Sequence, residues 1–102
     1  MEEIEVAASP IGKEEQLTLL IEGAADHYGL QICMKGTLRT YPGSKHWHLQ
    51  KPGKRGTLEV TLWPEGNRVW FSVQSERRAT WIDEILSDMQ AWIEGQVSQH
   101  YE

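Results

Sequence analysis

The sequence predicts an α+β fold in two layers, α-β-β-β-β-α, with a four-stranded antiparallel meander carrying both helices on one face. Three observations predict it. Apolar residues recur at spacings of three and four towards both ends of the chain, they alternate with period two in the middle, and Pro- and Gly-containing turns punctuate the alternating part. A chain of 102 residues has room for one such core and not for two.

Residues 1–8 are acidic and are expected as a flexible tail ahead of a single domain over residues 9–102. Ser9-Pro10 reads as a helix start, with Ser as cap and Pro at the first helical position. Leu17, Leu20, Ile21, Ala24 and Tyr28 then line one stripe, and Gly29 is placed to end the helix. A second helix is expected from Thr80, with Asp83 reaching back to the Thr80 cap, to about residue 99. Ile82, Ile85, Leu86, Met89, Ile93 and Val97 form its buried stripe, which Trp81 and Trp92 widen.

Between the helices, Leu30, Ile32, Met34 and Leu38 alternate with Gln31, Cys33, Lys35, Thr37 and Arg39. Trp47 and Leu49 alternate with His46, His48 and Gln50; Leu58, Val60 and Leu62 with Thr57, Glu59, Thr61 and Trp63; Val69, Phe71 and Val73 with Arg68, Trp70, Ser72 and Gln74. The connections are Tyr41-Pro42-Gly43-Ser44, the stretch 51–56, and Pro64-Glu65-Gly66-Asn67. Pairing Arg39 with His46, His48 with Glu59 and Thr61 with Trp70 keeps apolar opposite apolar in all three hairpins, and a slip of one residue would destroy that match. Segments 31–39 and 68–74 then lie at the two sheet edges.

One sheet face is left without a helix. Its expected rows are Arg39, His46, Thr61, Trp70, then Thr37, His48, Glu59, Ser72, then Lys35, Gln50, Thr57, Gln74, with Trp63 and Arg68 at the rim. Charge is also sorted along the chain. Residues 1–34 hold seven acids against Lys13, residues 35–78 hold nine Lys or Arg against three Glu, and residues 79–102 hold five acids and no Lys or Arg. The formal net charge of −5 therefore conceals a basic middle.

Lys35, Arg39, His46, His48, Glu59, Trp63, Arg68 and Trp70 are the candidate binding residues. The leading expectation is a non-catalytic binding or assembly module that meets a protein partner, a second copy or an anionic ligand on this face. Trp63 and Trp70 offer stacking surfaces, and the cations offer phosphate contacts, as single-stranded nucleic acid requires. The overall acidity opposes that reading, and attraction between the basic strands and the acidic helices of the same or a second molecule competes with it. His46, His48 and Glu59 form a second candidate, two imidazoles and a carboxylate able to hold a divalent zinc or iron ion. The His48–Glu59 pair also has the form of an oriented general base for hydrolysis, but nothing fixes a nucleophile beside it and no enzyme activity is expected. Cys33 is the only cysteine, which excludes an internal disulfide. No apolar run can cross a bilayer, and the acidic start Met1-Glu2-Glu3 lacks secretory character, so a cytoplasmic location is expected.

The helix–sheet–helix outline resembles the frataxin-like fold, and also double-stranded-RNA-binding domains with their three strands. The frataxin resemblance implies iron contacts for acids of the first helix, here Glu14, Glu15, Glu22 and Asp26. The resemblance is one of outline, without shared motifs, and carries neither family's functional residues onto this chain.

Overall fold

A computed structural model describes residues 1–8 and 14–101, the side chains of residues 99–101 excepted. Five antiparallel strands form one sheet: β1 (Glu2–Val6), β2 (Gln31–Gly36), β3 (Lys45–Gln50), β4 (Leu58–Trp63) and β5 (Arg68–Val73), in the spatial order β1-β5-β4-β3-β2. Helices α1 (Glu14–His27) and α2 (Thr80–Tyr101) complete an α+β fold. The class is the expected one, but the sheet has five strands and not four.

The additional strand comes from the segment expected to be a tail. Glu2–Val6 pairs with β5, Ile4 opposite Phe71 and Val6 opposite Val69. Three glutamates in five residues give it little intrinsic strand preference. Its partners supply the stability: Val6 is buried and Ile4 packs on the core, while Glu5 and Glu3 meet Arg68, and Glu2 meets Arg78. The edges of the sheet are therefore β1 and β2, and β5, expected at an edge, is interior.

Two of the three hairpins have the expected register. His48 faces Glu59 and Leu49 faces Leu58; Thr61 faces Trp70 and Trp63 faces Arg68. The first hairpin departs from it. The turn at Tyr41-Pro42-Gly43-Ser44 does form, with the Ser44 amide donating to the Tyr41 carbonyl at 3.0 Å and Gly43 at φ 81°. Residues 37–40, however, leave the sheet, and a bulge lies between Ile32 and Met34. An extra residue reverses the phase of everything beyond it. Met34 consequently faces His48, Lys35 faces Trp47, and Gly36, in place of Arg39, faces His46.

Both helices pack on the same face. Leu17, Ile21, Ala24 and Ala25 of α1 and Ile82, Leu86, Met89 and Ile93 of α2 join Trp47, Leu49, Leu58, Val60, Leu62, Val69, Phe71 and Val73 in one core. The Trp47 indole N–H donates to Glu22 on α1 at 3.0 Å, so α1 covers β3, while Gln90 of α2 donates to the Glu5 carbonyl and covers β1. Gly29 ends α1 at φ 68°, where the Leu30 amide bonds the Ala25 carbonyl, as a helix C-terminus with a glycine requires. The expected Ser9-Pro10 start lies outside the described residues. Asp83, expected to reach back to Thr80, instead pairs with Arg78.

Candidate metal centre on the outer sheet face

His46 and His48 stand two residues apart on β3, so both side chains point to the face away from the helices. Directly across on β4 are Thr61 and Glu59. The contacts cross the register. Glu59 Oε1 lies 3.1 Å from Nε2 of His46, its diagonal neighbour, and 3.8 Å from Nε2 of His48, its direct partner. The two imidazoles meet edge to face at 5.1 Å. His46 Nδ1 lies 2.8 Å from the Thr61 hydroxyl.

One ligating atom from each of the three side chains falls within 4.8 Å of the others. Ligand atoms around a tetrahedral ion with bonds near 2.0–2.1 Å are about 3.3 Å apart. The two His–Glu separations bracket that value, and the widest separation in the set, up to 4.8 Å, must close by roughly 1.5 Å to complete a coordination shell. Side-chain exposure is 4% for His46, 9% for Glu59 and 23% for His48, so the cluster is enclosed on one side and reachable past His48. Burial pushes the His46 imidazole below its ordinary pKa, against the pull of Glu59. At neutral pH it is therefore uncharged, the form that binds metal. The Thr61 hydroxyl can accept a hydrogen bond from Nδ1–H, the tautomer that leaves the Nε2 lone pair of His46 free. Without an ion the cluster is also satisfied, since no buried polar side-chain atom among the described residues lacks a partner.

The outer face is covered rather than open. The Tyr41 ring lies 4.9 Å from the rings of both Trp63 and Trp70, and the Trp63 indole donates to the Pro42 carbonyl at 3.0 Å. Arg68 stacks 4.1 Å from the Trp70 ring centroid, leaving that ring 1% exposed. The departure of residues 37–44 from the sheet is what brings Tyr41 over this surface.

Of the expected binding residues, the structure brings His46, His48 and Glu59 together, with Trp63, Arg68 and Trp70 in a neighbouring aromatic cluster. Lys35 lies on the helix side, 2.7 Å from Glu22, and Arg39 is exposed in a turn. The bulge explains the first displacement, and the early end of β2 the second. Cys33, within the bulge, directs its thiol to the His48 carbonyl at 3.3 Å and does not join the ligand cluster. The sequence reading missed the roles of Thr61, Tyr41 and Arg77. Thr61 stood in the same row as His46 and was open to discovery; Tyr41 and Arg77 lie outside the strands, where periodicity carries no information. Arg77 Nη1 is 3.8 Å from Glu59 Oε2.

No protein-family model, curated protein or solved structure matches this chain. The functional reading therefore stands on the site's own geometry. No helix among the described residues is long and apolar enough to cross a membrane.

Proposed function

We propose that the protein binds a divalent transition-metal ion, zinc or iron(II), through His46, His48 and Glu59. The observation that carries the reading is the convergence of three ligating atoms from two paired strands within 4.8 Å. Two imidazoles and one carboxylate suit these ions and leave coordination positions for water or a further ligand. Rigid strands hold the side chains, Thr61 orients His46, and the partial exposure of His48 supplies an entry path.

The test is metal content after equilibrium dialysis against zinc(II) or, anaerobically, iron(II), for the wild type and for His48→Ala, which alters the most exposed ligand. The expected result is one ion per wild-type chain and a loss of affinity in the variant of about tenfold or more. Equal content in both proteins would end the proposal.

A second reading, assembly of two copies, draws on β2. This edge strand is exposed along nearly its whole length, and Ile32 and Met34 each remain 38% exposed. Unpaired backbone groups beside exposed apolar side chains favour strand-to-strand pairing, which the bulge and Lys35 oppose. Sedimentation of the wild type and of Met34→Lys decides between them: a dimeric parent and a monomeric variant support assembly, and a monomeric parent removes it. The nucleic-acid reading has less support, because Trp70 is enclosed and Lys35, Arg68 and Arg78 are matched by acids of the same chain.

A further inference from the structure

We propose that the metal-loaded site takes a dianionic oxyanion, a phosphate group, held between the ion and the guanidinium of Arg77. The inference rests on the metal reading above and extends it to the chemistry of the ligand. Glu59 uses its two oxygens differently: Oε1 faces both histidines, and Oε2 faces Arg77 Nη1 at 3.8 Å. Among the described residues, Glu59 is the only ion-pair partner of Arg77. An ion bound at Oε1 would draw on the same carboxylate charge that now balances Arg77.

Charge then favours an anion as the further ligand. Metal-bound imidazoles are neutral. A divalent ion and Glu59 leave one positive charge, and Arg77 adds a second, at a place where the ligands are 4% to 23% exposed. Arg77 itself is 47% exposed, so water screens part of the repulsion between the two charges, and an anion that meets both removes the rest. No other acid belongs to the ligand cluster. Glu3, two strands away on the same face, is engaged by Arg68, and Glu76 is bonded to Ser75.

Position and space agree with the charge. The Arg77 backbone is fixed at both ends, its amide donating to the Gln74 carbonyl and its carbonyl accepting from the Thr57 amide, each within 3.0 Å. That attachment holds Arg77 beside Thr57 and places its side chain within reach of Glu59, two residues further along the chain. A groove of about 480 Å³ opens there, lined by Arg55, Thr57, Glu76, Arg77, Arg78 and Thr80. Arg78 is already neutralised by Glu2 and Asp83, which leaves Arg77 as the cation that faces both the groove and the ligands. A planar guanidinium can engage two oxygens of one oxyanion while a third remains for the ion.

The experiment uses the full chain loaded with cobalt(II), whose absorption reports changes in coordination, titrated with inorganic phosphate and separately with acetate. In the wild type, phosphate is expected to alter the spectrum and to bind more tightly than acetate. Arg77→Gln should retain its cobalt and lose phosphate affinity about tenfold, the scale of one charge-assisted hydrogen bond, with Arg77→Lys in between. Full cobalt loading with a flat phosphate titration, or equal phosphate affinity in wild type and Arg77→Gln, overturns the oxyanion proposal alone. Acetate binding as tightly as phosphate overturns the choice of a dianion, and failure to load cobalt overturns the metal reading and this inference together.

Discussion

His46 and Glu59 are diagonal neighbours across β3 and β4, yet their side chains approach more closely, at 3.1 Å, than those of the directly opposed His48 and Glu59 at 3.8 Å. Diagonal contacts in an antiparallel pair are within reach of long side chains, and here the Thr61 hydroxyl anchors the far nitrogen of the His46 ring. The site is thus a unit of four residues on two strands, three able to ligate and one that orients.

Replacing Thr61 by Val keeps the shape of a fully buried side chain and removes the hydroxyl at His46 Nδ1. Zinc affinity should fall about tenfold, the lower end for loss of a partner that orients a ligand. Competition with a chromogenic chelator measures it. Unchanged affinity would show that Thr61 has no part in the site.

Glu22 links α1 to the sheet by accepting from Lys35 at 2.7 Å and from the Trp47 indole at 3.0 Å. The Lys35 bond, then the Trp47 bond, hold its carboxyl below the ordinary pKa. A lowered folded-state pKa contributes stability that is present above the unfolded value of about 4.3 and is lost as pH falls through the folded value. Glu22→Gln should therefore cost about 1 kcal/mol at pH 7, allowing for solvent screening at the exposed Lys35, with the difference shrinking in acid. Urea unfolding of both proteins at pH 7 and near pH 3 checks the sign.

Removal of residues 1–6 should behave as loss of a strand and not as trimming of a tail. Ile4 and Val6 leave the core, Arg68 loses Glu3 and Glu5, and the backbone of β5 becomes an edge. A lower unfolding midpoint and concentration-dependent association are expected from thermal scans and sedimentation. A truncated chain as stable and as monomeric as the parent would contradict the assignment of β1.

Tyr41→Ala removes the ring between Trp63 and Trp70. Destabilisation of roughly 2–3 kcal/mol is expected for a large aromatic that is only partly buried. Acrylamide quenching should rise as Trp70, now enclosed, meets solvent. Quenching equal to that of the parent would mean that Arg68 alone covers the ring.

Much of the site was legible in the residues themselves. His46-Trp47-His48 alternates too strictly to be read any other way, with Trp47 required in the core, and the turns at residues 51–56 and 64–67 place Glu59 and Thr61 opposite the histidines. The placement of Lys35 was not legible, because the bulge at Cys33 depends on how β2 settles against β3. Nor was β1, whose glutamates resemble a solvated tail until Arg68 and Arg78 are brought beside them.

Local pattern determined which face each residue of β3, β4 and β5 presents, because a side-chain period of two against a buried layer permits one register. Tertiary structure alone decided what lies over the outer face and what completes the sheet. Tyr41 reaches Trp70 only because residues 37–44 abandon the sheet, and Glu2–Val6 becomes a strand only because the edge of β5 supplies hydrogen bonds and cations that no neighbour in sequence provides.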